Sequence, residues 1–153
     1  MTVNNLSSST DDPRFHHPFG SEISLLQLAQ SLDAAASWEA KNRLLVQLSK
    51  QLPDWPVAQK TADAKVSGCE SQVWLRCNPS PAGWQIAADS DSRIVKGLLA
   101  LVLTAFNQRS STEIIAFDFE AWLNERGMQR FLSASRGNGL RAITEQIKSE
   151  VSR

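Results

Sequence analysis

The stretch GLLALVLTAF, residues 97–106, sets the tightest limit on how this chain can fold. At helical spacing it has almost no polar face: Leu98, Leu99, Leu101, Val102, Leu103 and Phe106 point all round the axis, joined by Ile94 and Val95 just before. A helix that is apolar on every side must be surrounded, so a helix over 93–107 runs through the middle of the fold. A membrane span needs about 20 apolar residues, so this shorter run is a buried core helix. A chain of 153 residues with 42% hydrophobic content and five Trp can cover one such helix within one domain.

Sixteen basic residues balance sixteen acidic ones, and no cluster of Lys and Arg stands out. The chain therefore has no global field to recruit nucleic acid or an acidic membrane, and neither is expected as a partner. Two cysteines without a CxxC spacing are too few for a disulfide framework, which points to a reduced, cytoplasmic chain. The first residues are polar, aperiodic and without the apolar centre of a signal sequence. A disordered arm is expected over 1–16 and a single domain over 17–153, with His16, Pro18 and Phe19 as candidate tethers.

The periodicity predicts a helix over 22–34 and another over 38–51, with Ser37 as its N-cap and Pro53 and Pro56 ending it. From 72 to 78 the period changes to alternation: Val73, Leu75 and Cys77 against Gln72, Trp74 and Arg76. NPSPAG (78–83) reads as a turn and WQIAA (84–88) as the returning strand of an antiparallel hairpin. DSDS (89–92) reads as the start signal for the central helix. Within that helix, Lys96 and Gly97 read as packing features, Gly97 permitting close approach to the sheet. Short helices follow over 112–117 and 119–126, with Gly127 as a C-cap. LSASRGNG (132–139) reads as a loop opening a last helix, whose stripe is Leu140, Ile143, Ile147 and Val151. The fold class is α+β, a small antiparallel sheet packed against several helices.

Cys77, in phase with Val73 and Leu75, reads as a small buried hydrophobe. Cys69 differs, because it follows Gly68 at the lip of a turn and precedes the alternating run. Pattern alone leaves it either a working thiol or a structural one. A Cys–His hydrolase needs an imidazole in reach, and the only histidines, His16 and His17, lie at the end of the arm and at the first residue after it. Zinc and iron–sulfur sites need more ligands than the chain supplies, and a dithiol reaction needs a resolving thiol close by. A single thiolate that accepts a group and hands it on remains.

VSGCESQVWL (66–75), SDSRIVKGLLALVLTAF (90–106) and LSASRGNGL (132–140), in this order and spacing, resemble the SufE/CsdE family of sulfur-acceptor proteins over about residues 17–150. HPFG (17–20) makes the chain similar to the CsdE branch, while Ala88–Asp89 departs from the family's Gly–Asp. The resemblance implies a SufE/IscU-like fold and a partner desulfurase of the CsdA/SufS type, which uses pyridoxal phosphate. No cofactor is implied for the chain itself. Cys69 would form a persulfide, stimulate the desulfurase and pass sulfur to iron–sulfur cluster assembly or another sulfur-requiring pathway. The protein would be a covalent carrier rather than an enzyme, a monomer or weak homodimer.

Gly68 and Glu70 flank the acceptor, Gly68 as the hinge of a loop over 66–71 that moves while Trp74 and Leu75 anchor the strand. With an ordinary thiol pKa of about 8.5, less than a tenth is thiolate near pH 7, and Glu70 should lower that fraction. Activation is then expected from the partner or a nearby cation. Asp91 matches a family aspartate and is either a loop-control residue or a helix cap. Arg136 matches a family arginine that engages the desulfurase, or is a solvated side chain at a helix start. The competing readings are a non-covalent adaptor and an iron–sulfur scaffold.

Overall fold

In the computed structural model, which describes residues 12–132 and 134–153, short polar side chains decide where most helices begin. Ser24 caps α1 (Leu25–Ala34) through a capping box with Gln27, so α1 starts later than the predicted residue 22. Ser37 caps α2 (Trp38–Ser49), Ser92 caps α3 (Arg93–Phe106), and Ser110 with Glu113 boxes the start of α4 (Ser111–Ala116). Asp118 caps α5 (Phe119–Glu125). Each supplies an acceptor to a backbone N–H that the helix itself leaves unpaired. Gly127, at φ 71°, ends α5: its N–H reaches Asn124 O and the Met128 N–H reaches Leu123 O, both at 3.1 Å.

Strand β1 (Val73–Asn78) pairs antiparallel with β2 (Gln85–Ser90), in register from Val73 opposite Ser90 to Asn78 opposite Gln85. The second strand thus runs past the predicted 84–88. Asp89 and Ser90, expected to signal a helix, are buried strand residues, and only Ser92 caps. Val73, Leu75, Cys77, Ile86 and Ala88 face the main core, as the alternation predicts for β1.

The opposite face is not solvated as that alternation implies. Trp74 is 6% exposed and packs with Trp55, Ala64 and Ala87, with Phe15 at the edge. Residues 64–66 also run beside β1 and cover its outer edge. Leu75 N donates to Ala64 O at 2.8 Å and Val66 N to Val73 O at 2.9 Å.

Helix α3 lies at the centre, every residue from Gly97 to Phe106 buried against α2 and β2. Gly97 makes its close approach to α2 rather than to the sheet: a methyl group there would lie 2.6 Å from Leu45 O. Lys96 is a charge tie rather than a packing feature, pairing with Asp54 and, at 3.3 Å, with the buried Asp89.

Residues 1–11 of the expected arm lie outside the described residues. Pro13–Phe15 form a 3-10 turn whose Arg14 guanidinium stands 4.5 Å over the Trp55 ring. Phe19 is fully buried, and Asn107 clasps it by donating to Phe19 O at 3.0 Å while accepting Ile86 N at 2.8 Å.

The last helix, α6 (Ala134–Val151), corrects the prediction most directly. The residues read as a loop over 132–139 are helical from Ala134 onward. Gly137 and Gly139 weaken helix propensity, but Leu140, Ile143, Ile147 and Val151 are all buried, and packing outweighs the local preference.

Candidate functional site

Cys69 sits on a loop that is tied at both of its ends. On the inner side the Val66–Val73 hydrogen bond and the Lys65–Trp74 bridge close the turn. On the outer side Asp91 holds Gln72: Asp91 Oδ1 accepts Gln72 N at 3.1 Å, and Asp91 N donates to Gln72 O at 3.3 Å. Ser67 to Ser71 lie between these ties. Gly68 carries φ +91°, a conformation that a side chain would strain, and this turns Cys69 toward α6.

Helix α6 receives the loop on small residues. A methyl group on Gly68 would lie 3.4 Å from Ala142 Cβ, and the Cys69 Sγ–H donates to Gly139 O at 3.5 Å. The thiol is half-buried at the wall of a cavity of about 250 Å³ between the loop, the start of α3 and the first turns of α6. Glu70, Ser71, Val95, Arg136 and Leu140 share that wall.

The electrostatics of this seat favour a protonated sulfur. Burial lifts the Cys69 thiol above the ordinary thiol range. Burial, rather than the Glu70 charge expected to do so, is the cause. The hydrogen-bond partner of the thiol is a carbonyl oxygen, which a thiolate would repel. A resting thiol is thus held quiet, and its reactivity depends on leaving the seat or on a cation brought to it.

Gly68, Glu70 and Arg136 are brought together with Cys69. Arg136 is not in a Gly-rich loop but in the first turn of α6, half-buried, with Nη1 donating to Phe131 O at 3.1 Å. Asp91 lies beside the cysteine loop and ties it, while Ser92 holds the cap role.

Cys77 lies on the core side of β1, 9% exposed, and burial followed by the Glu150 charge pushes its thiol far above the usual range. It is structural. Gly139 and Ala142 were missed, because a loop assignment at 132–139 hid that they lie one turn apart on the face that meets the Cys69 loop, Gly139 against Cys69 and Ala142 against Gly68. A helical reading from Ala134 would have exposed that spacing. Among the described residues no group of three or more His, Cys, Asp or Glu is placed to hold a metal ion, and no helix is long and apolar enough to cross a membrane.

Comparison with known proteins matches residues 26–151 to the family described as "SufE: Fe-S metabolism associated domain". "Sulfur acceptor protein CsdE" of Escherichia coli (strain K12) is 38% identical over 138 residues, covering 89% of this chain and 94% of that protein. A SufE-like protein of Rhizobium meliloti (strain 1021) is 35% identical over 131 residues, covering 83% of this chain and 94% of its own. Among solved structures, the solution structure of a hypothetical protein from Thermus thermophilus superposes with a TM-score of 0.69 at 15% identity. It covers 84% of this chain and 93% of that one. That likeness establishes the α+β fold alone.

Proposed function

The chain belongs to the SufE family, on its CsdE branch, and we propose that it accepts persulfide sulfur from a cysteine desulfurase onto Cys69. The observation that carries the reading is the seat of Cys69. A lone half-buried thiol lies on a loop tied at both ends, facing a cavity in the segment that the family match spans.

The transfer is a thiol–disulfide exchange. The Cys69 thiolate attacks the outer sulfur of the desulfurase persulfide, and a new S–S bond forms on Cys69 as the donor's S–S bond breaks. The desulfurase cysteine leaves as a thiolate and takes up the proton that Cys69 gave. The outer sulfur moves without net oxidation or reduction.

The burial that holds the thiol protonated also limits its exposure to stray thiols and oxidants, so docking on the partner supplies the activation. That partner is a pyridoxal-phosphate desulfurase of the CsdA/SufS type, which the carrier stimulates in the cytoplasm. The sulfur is then relayed to cluster assembly or another sulfur-requiring pathway. Asp91 controls the loop, and Arg136 engages the desulfurase.

Intact mass after incubation with cysteine and the desulfurase tests the reading. The parent and Cys77→Ala should each gain the mass of one sulfur atom, mapped by peptide analysis to Cys69, and Cys69→Ser should gain none. Sulfur mapped to Cys77 overturns the assignment. Full stimulation by Cys69→Ser would mark a non-covalent adaptor instead, and a coloured cluster after anaerobic reconstitution would mark a scaffold.

A further inference from the structure

Gly139 is a glycine that neither the backbone nor the space around it requires. It lies within α6 without a positive φ. A methyl group in its place would lie 3.5 Å from Cys69 Cα and 3.6 Å from both Cys69 Cβ and Sγ, ordinary contact distances. Glycine is also a poorer helix former than alanine at such a position. What its bareness leaves is an uncovered wall: on the α6 side Cys69 rests against backbone, with its Sγ–H donating to Gly139 O, while its other side packs on the core. A side chain here would touch three atoms of the cysteine at once.

We propose that Gly139 is the positioning residue that keeps the grip on Cys69 weak, and so sets how often the thiol leaves its seat. Its purpose rests on the sulfur-acceptor reading, since a thiol that must pass into another protein's site cannot be clamped. Its position against Cys69 does not depend on that reading. An alanine at 139 fills the gap, adds contact to Cys69 and firms the helix beneath it. A leucine is equally at home in a helix but too large for the gap, and displaces the loop. Alanine and leucine therefore act in opposite directions, although both favour the helix over glycine.

The test is the rate at which iodoacetamide alkylates Cys69 in the full chain, followed by mass spectrometry across a range of pH. No desulfurase is needed. Gly139→Ala should slow the reaction several-fold near neutral pH. Gly139→Leu should speed it several-fold and move the midpoint of the pH–rate profile down toward that of an ordinary thiol, because burial no longer lifts it. Gly137→Ala is the control, since a methyl there would meet Leu132 O at 3.5 Å instead of the cysteine; it should firm the helix without changing the rate.

Slowing by Gly137→Ala equal to that by Gly139→Ala would reduce the effect to helix stability and overturn the proposal. So would Ala and Leu shifting the rate in the same direction. If the leucine variant does not fold by circular dichroism, the two alanine variants decide alone. Should the rates follow the expected order while the desulfurase never loads Cys69, the positioning role stands and the acceptor reading fails.

Discussion

Asp91 and Gln72 grip each other by two hydrogen bonds, side chain to backbone at 3.1 Å and backbone to backbone at 3.3 Å, and this clasp closes the outer side of the Cys69 loop. Only the first bond depends on the side chain. Asp91→Ala removes an exposed bond of about 1 kcal/mol, which changes global stability little but loosens the loop locally. One kcal/mol corresponds to roughly a fivefold change in an equilibrium, so Cys69 alkylation should rise by about that factor. Asp91→Asn keeps an acceptor oxygen and should stay near the parent. A parental rate in Asp91→Ala would show that the backbone bond alone holds the loop.

Gly97→Ala should be strongly destabilising, although alanine is the better helix former. The added methyl would meet Leu45 O at 2.6 Å and Leu45 Cβ at 2.8 Å, backbone that cannot give way without separating α2 from α3. Overpacking of this kind costs about 3 kcal/mol. Urea denaturation measures it, and an unchanged or raised midpoint would mean that the two helices can part freely.

Arg136→Glu should slow Cys69 alkylation at neutral pH as well as weaken binding to the desulfurase. The first effect follows from the cavity that Arg136 shares with Cys69 and Glu70. Reversal places a second carboxylate there and disfavours the thiolate. The chain should still fold: a carboxylate suits the first turn of a helix, and loss of the bond to Phe131 O costs about 1 kcal/mol. Calorimetric binding equal to the parent's would remove Arg136 from the interface, and an unchanged alkylation rate would remove it from the thiol's surroundings.

His17 gives the fold a pH dependence on the acid side. Its Nε2 meets Ile86 O at 2.9 Å and its Nδ1 accepts the Phe19 N–H at 3.3 Å, which together require the neutral ring. Burial lowers its pKa below the ordinary 6.5, against the pull of the Ile86 carbonyl. A depressed histidine contributes stability that is complete above the unfolded value and is lost as pH falls through the folded one. Unfolding free energy should therefore decline as pH drops from about 7.5 toward 5. His17→Gln, which cannot ionise, should flatten that decline. An identical slope in the variant would place the titration elsewhere.

The sequence by itself determined what depends on neighbours along the chain. Ser37 sits where a cap must sit, DSDS marks where the central helix begins, Pro53 and Pro56 keep α2 from running on, and Gly127 supplies the positive φ that ends α5. The alternation of Val73, Leu75 and Cys77 placed one face of β1 and the second thiol correctly, and the apolar run through Phe106 put α3 at the centre. Gly68 before Cys69 singled out the thiol that sits at the cavity. All of these are local: capping, ring geometry and side-chain period act within a turn or a strand.

Only the tertiary structure decided what depends on residues far apart in sequence. Trp74 is buried because Trp55 and Ala64 fold over a face that alternation alone leaves to solvent. Asp89 extends a strand because Trp74 lies opposite it, and it is tolerated in the interior because Lys96 and the Trp55 N–H meet it. Gly97 answers to Leu45 rather than to the sheet. Residues from Ala134 onward are helical despite Gly137 and Gly139, because burial of Leu140 and Ile143 outweighs propensity. The seat of Cys69 depends on the same cause. Gly139 reaches the thiol, and Ala142 meets Gly68 beside it, only once α6 is packed, and no pattern in one segment carries the shape of another that lies 70 residues away.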